Sequence, residues 1–216
     1  MTGLVRKATL LTFAGLLLAG AAFAGVPSPA NSTRPTCISY VGIKTGTADP
    51  VGAFTVTVRD LANNPINASN VVVDFSGCPD THSGNTASQQ ASLNLTVDGL
   101  NKTVKSISNA SGIASFDIVG GGTLTRTPFA GANCAKIYAD GVLLGSVTVR
   151  AFDEDGLGGV QLADLALWAS DFFNAPTYYG RSDYDCLGGV QLADLSLWAS
   201  DFFSTNSAAS ASAYAW

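Results

Sequence analysis

"DEDGLGGVQLADLALWASDFF", residues 153–173, is followed by "DYDCLGGVQLADLSLWASDFF", residues 183–203. From Leu157 and Leu187 onward the two stretches differ only where Ala166 gives way to Ser196. Each opens on two carboxylates, Asp153 and Asp155 or Asp183 and Asp185, turns through a Gly-Gly pair, and reaches a third, Asp164 or Asp194. Counted from the first Asp, the acids stand at positions one, three and twelve, with Gly158 or Gly188 at six and Val160 or Val190 at eight. Beyond the Gly pair the period changes. Val160, Leu165, Trp168 and Phe172 recur at spacings near four, which predicts an apolar stripe along a helix. Asp164 falls at the helix start, where a carboxylate meets the positive end of the helix dipole. The unit is a loop followed by one helix, written twice.

The spacing has a chemical reading. Ca²⁺ is a hard ion that takes about six to eight oxygens, and alternate residues of a tightly turned loop point their oxygens inward. Carboxylates at one, three and twelve with Gly at six match the EF-hand calcium loop. Gly159 and Gly189 then hold position seven, where a backbone carbonyl is the ligand, and Gln161 and Gln191 hold position nine, where contact runs through a water. The candidate ligands are thus Asp153, Asp155, Gly159, Gln161 and Asp164 in the first loop, and Asp183, Asp185, Gly189, Gln191 and Asp194 in the second. Position five is Leu157 or Leu187, so each loop lacks one oxygen and one charge, and calcium affinity is expected to be weakened. Calcium-stabilised folding is still favoured, because acids crowded into one turn repel without a cation.

No helix-forming run precedes Asp153. Loop plus following helix, duplicated in residues 152–203, resembles the type I dockerin domain, whose "D-x-[ND]-x-D-G-x-[VI]-x-x-x-D-L" pattern "DEDGLGGVQLADL" matches at every defined position except the fifth. That resemblance implies a cohesin-like or other extracellular protein partner. It also implies recognition through positions ten and eleven, here Leu162-Ala163 and Leu192-Ala193. Each unit is too short to bury its own stripe. The two helices are therefore expected to pack about an approximate twofold axis, with Leu165, Trp168, Leu195 and Trp198 against each other.

Working back along the chain, residues 36–151 alternate with period two. "FTVTVRD" would turn Phe54, Val56 and Val58 inward, and "SLNLTV" (Leu93, Leu95, Val97), "IASFDIV" and "SVTVRA" follow suit. "VVVDF" at 71–75 is more continuous, as a strand buried on both faces would be. Turn clusters such as "DLANNPIN", "SNASG" and "GGG" separate these runs, so a mainly β, antiparallel sandwich is expected. "FTVTVRDLANNPINASNVVVDFS" with "SISNASGIASFDIVG" resembles the bacterial Ig-like domains of the invasin type. That implies an Ig-like sandwich with Phe54, Val56, Val73, Phe75, Phe116 and Ile118 between its sheets. Residues 25–35 read as an N-terminal linker and 204–216 as a flexible tail.

Residues 1–24 carry Arg6 and Lys7, an apolar run from Ala8 to Ala19 and a terminal Ala22-Phe23-Ala24, the pattern of a cleaved secretory signal. The mature chain is expected to be secreted, extracellular or held at a cell surface, with no membrane span. Export permits disulfides. Cys78 with Cys134 is the favoured pair, while Cys37 and Cys186 could pair or stay free. From residue 151 onward nine acidic side chains accompany Arg181 alone, in a chain of net charge −5. No basic stripe is interleaved with aromatics, so nucleic acid is not expected as a partner. His82 is the only histidine. It reads as a solvated loop residue, and neither a Ser-His-Asp triad nor a histidine zinc site can be built from it. The chain reads as a non-catalytic binding or assembly module. The alternative is an accessory part of a polysaccharide-degrading system, binding carbohydrate or a cell-surface polysaccharide through sandwich aromatics such as Tyr40, Phe129 and Tyr138.

Overall fold

The period-two segments become short strands, and pairing between sequence-distant ones builds the main layer. The computed structural model describes residues 25–127, 132–174, 177, 179–203 and 214–216. The expected signal segment 1–24 and Phe129 lie outside the described residues. A six-stranded sheet runs in the order β1 (Cys37–Tyr40), β12 (Val142–Ala151), β11 (Ala135–Ala139), β5 (Asn70–Asp74), β8 (Thr103–Ile107) and β7 (Thr96–Asp98). Two-stranded ribbons join β2 (Ile43–Lys44) with β3 (Thr47–Ala48), β4 (Phe54–Thr57) with β9 (Ile113–Phe116), and β6 (Thr81–Ser83) with β10 (Gly120–Gly122). Every pairing among these strands is antiparallel except β1 with β12, which runs parallel from Cys37 opposite Thr148. The expected all-antiparallel pattern is corrected at that edge.

The first core lies where the β4–β9 ribbon meets the large sheet. Val56, Val58, Ala114 and Phe116 pack with Val71, Val73, Val104, Ile137, Val147 and Val149, all nearly inaccessible to water. Phe54 is only half-buried and stacks on Phe116 at 5.0 Å between centroids. Phe75 and Ile118 are fully buried, as expected. Two segments differ from their patterns. In β5, Val71 and Val73 are buried while Val72 and Asp74 are half-buried. The strand is central because β11 and β8 flank both its edges, and that is a different thing from burial of both faces. "SLNLTV" does not form one strand. Ala91–Leu93 is a 3-10 turn, Asn94 takes a left-handed conformation (φ 50°), and pairing starts only at Thr96.

Both ends of the β region are tied down. The expected linker 25–35 lies along the end of β4 and the chain that follows it: Thr33 and Thr57 exchange two N–H···O bonds of 2.9 Å, and Ser28 N–H donates to Arg59 O at 2.8 Å. The expected flexible tail ends in a docked segment, since Tyr214 bridges to Gly84 and Trp216 packs against the first core. Cys78 bonds to Cys134, and Cys37 of β1 bonds to Cys186 in the second acidic loop.

The helices α1 (Leu162–Phe173) and α2 (Leu192–Phe203) follow the two loops. Trp168 and Trp198 are buried in a second core with Val160 and Tyr184, and Val41, Ala48, Val119 and Phe152 from the β region complete it. The two helical stripes therefore face a core shared with the sheet; Leu165 and Leu195 are partly buried at its margin. Phe152 is fully buried, so the expected border at residues 151 and 152 runs through packed side chains. Among the described residues no helix is long and apolar enough to cross a membrane.

Candidate metal centre

β12 runs directly into the first loop and carries Asp153 and Glu154 into the interior. Asp153, Asp155 and Asp164 each place a carboxylate oxygen within 4.8 Å of the others, and Asp183, Asp185 and Asp194 do the same. Oxygens bound to one Ca²⁺ at about 2.3–2.6 Å lie up to about 5 Å apart, so both triads fit a single cation of that size.

The backbone holds these carboxylates in place. Asp164 accepts the Asp155 N–H at 3.0 Å and the Gln161 N–H at 2.7 Å, one on each oxygen. Asp194 accepts the equivalent Asp185 and Gln191 N–H groups at 2.9 and 2.7 Å. The position-twelve acid thus caps its helix and ties it to the loop entrance, while each oxygen keeps a lone pair for an ion. Leu157 N–H donates to Asp155 at 2.7 Å and to Asp153 at 3.1 Å. In the second loop, Leu187 N–H donates to Asp185 at 2.9 Å and Gly188 N–H to Asp183 at 3.0 Å. Gly158 and Gly188 take φ of +80° and +93°, which a side chain would strain.

Burial pushes Asp164 up to about 6; Asp153 and Asp155 add to the shift against the pull of its two N–H donors. Asp194 is raised too, first by burial and then by Asp185 and Asp183. A cation among these oxygens would favour the ionised forms.

Other expected ligands stand differently. Gln161 Nε2 donates to Leu157 O at 2.7 Å, so this amide closes the loop instead of facing its centre. Leu157 and Leu187 are exposed and supply no side-chain oxygen. Gly159 and Gly189 stand at the turn, and Gln191 is exposed. Leu162, Ala163, Leu192 and Ala193 are all exposed at the two helix starts, an apolar pair beside each acidic triad.

Beneath the first loop is a polar network that the loop spacing does not announce. Arg181 is fully buried and donates to Thr123 O at 2.6 Å; its other nitrogens lie 3.7 Å from Glu154 and from Asp171. Arg126 meets the far oxygen of Asp171 at 2.5 Å. The Ser182 hydroxyl sits 2.7 Å from Glu154 and 2.6 Å from Asp171, and Tyr184 donates to Glu154 at 2.6 Å. One hydroxyl proton cannot serve two carboxylates. Burial pushes Glu154 up to about 8, so a protonated Glu154 can donate to the Ser182 oxygen while the Ser182 hydroxyl donates its hydrogen bond to Asp171. The signal for this network was the helical period, because Asp171 lies seven residues after Asp164 on the face of Trp168.

Its counterpart in the second repeat, Asp201, has no such cation among the described residues. It lies against Asp49, and burial together with that carboxylate pushes Asp201 up to about 8. His82 is not a solvated loop residue: its ring stacks on Tyr214 with centroids 3.5 Å apart, and burial pushes it down to about 4.

Comparison of the chain with protein-family models, with curated proteins and with solved structures finds no match.

Proposed function

We propose that this chain is an exported, non-catalytic docking module, an Ig-like β-sandwich joined to a dockerin-like pair of calcium loops. The observation that carries this reading is the duplicated triad, Asp153, Asp155 and Asp164 with Asp183, Asp185 and Asp194, each set within reach of one ion. Calcium offsets most of the negative charge of each triad and fixes the start of the helix behind it. The exposed Leu162-Ala163 and Leu192-Ala193 pairs are held beside the ions, and a cohesin-like or other extracellular protein is the partner they suit. Two disulfides support an oxidising, extracellular location. The carbohydrate alternative has less support: Tyr40 is fully buried and Tyr138 half-buried, so neither offers an open sugar-stacking face.

The test is affinity capture on the immobilised full chain from secreted and surface fractions, in calcium and in chelator, with Leu162→Asp/Leu192→Asp alongside. A protein retained only in calcium and lost from the double variant is the expected result. Retention that ignores both calcium and the variant counts against the docking surface.

A further inference from the structure

The two acidic loops are near copies, yet each is fastened to the β region at the same place by different means. Position four of the second loop is Cys186, bonded to Cys37 of β1. Position four of the first is Gly156, whose carbonyl accepts the Tyr214 hydroxyl at 3.0 Å. Gly156 has φ +69°, and a Cβ there would stand 2.5 Å from His82 Nε2 and 2.6 Å from Gly122 O, so the loop presses directly on the β6–β10 ribbon. β10 also receives the loop entrance, with Gly122 N–H donating to Asp153 O at 2.7 Å.

The far edge of that ribbon carries the last three residues. Tyr214 bridges antiparallel to Gly84, Ala215 N–H donates to Ser83 O at 2.9 Å, and Trp216 Nε1 donates to Thr81 O at 3.2 Å. The Trp216 ring lies 6.0 Å from Phe75 of the first core. The Tyr214 ring covers His82, and its hydroxyl then reaches over the ribbon to the loop.

We propose that Tyr214–Trp216 is a strap that positions the first acidic loop, performing at Gly156 the task that the Cys37–Cys186 disulfide performs at Cys186. Tyr214 is the positioning residue, and its effect falls on the first triad alone. In its consequence for metal affinity the proposal rests on the calcium reading above; in its consequence for loop mobility it does not.

Amide hydrogen exchange over residues 153–164 and 183–194 tests it, on the full chain, on a chain lacking Tyr214–Trp216 and on Tyr214→Phe. The truncation should speed exchange in the first loop about tenfold or more, with the second loop and β11 as unchanged internal controls. Tyr214→Phe keeps the ring on His82 and removes only the hydroxyl, so it should produce a smaller rise confined to the first loop. Calcium titration of the same proteins should show a several-fold loss of affinity at one site of two. Unchanged exchange in the first loop of the truncated chain, or an equal rise in both loops, overturns the strap. If calcium binds to none of the proteins, the metal reading falls while the exchange comparison still decides the strap.

Discussion

Leu157 and Leu187 stand where the loop geometry asks for an oxygen, and both side chains point into solvent. A carboxylate at either position buries no charge but adds a fourth acid to a crowded turn, so Leu157→Asp and Leu187→Asp should lower the melting temperature of the calcium-free protein slightly. Each should tighten its own calcium site by about tenfold, or about 1.4 kcal/mol, as read by calorimetric titration. The acidic triads were legible in the sequence because a twelve-residue loop contains its own geometry. Asp201 was not, since its neighbour Asp49 comes from the opposite part of the chain. The Asp201 carboxyl binds its proton more tightly folded than unfolded, so its favourable contribution is complete below the unfolded value of 3.8 and is lost as pH rises through about 8. Asp201→Asn should therefore flatten the fall in stability between pH 5 and 8. At pH 8 it should raise the melting temperature by about 2–4 °C for each 1 kcal/mol recovered.

Each helix of the repeat buries an aspartate, a tryptophan and a second aspartate on one face, Asp164, Trp168 and Asp171 in α1 and Asp194, Trp198 and Asp201 in α2. The apolar stripe was legible from the spacing of its large residues. Its polar members were not read as buried, because a helical period says which residues share a face and not what meets them. For α1 the answer is Arg181, the only basic residue after 151, held between Glu154 and Asp171 with no contact to water. Arg181→Met should cost about 3–5 kcal/mol in urea unfolding, because it removes the buried cation between Glu154 and Asp171 and leaves Asp171 with Arg126 alone. Adding Glu154→Gln and Asp171→Asn to that variant should recover much of the loss. Full stability in Arg181→Met alone would mean that the network contributes nothing to holding α1.

At the level of the whole molecule, the sequence divides at residue 151 but the packing does not. The change of period from two to near four is real, and it marks where strands give way to helices. It carries no information on whether Phe152 meets Tyr184, whose rings stack at 4.7 Å, or whether Cys37 meets Cys186. Such long-range contacts depend on how the sheet curls, and local pattern does not encode it. The shared core and the disulfide predict one cooperative calorimetric transition for sheet and helices together. Cys37→Ser/Cys186→Ser should lower its midpoint without splitting it, whereas two separated transitions would mean independent domains. The central claim, that both acidic loops bind calcium, is tested most directly by titrating the full chain with Ca²⁺ while following heat and melting temperature. The account predicts two sites, one removed by Asp153→Ala and the other by Asp183→Ala. Calcium at about a hundred times its Kd should add about 2.7 kcal/mol per site, or about 5–10 °C. No binding heat and no rise in melting temperature at millimolar calcium would contradict it.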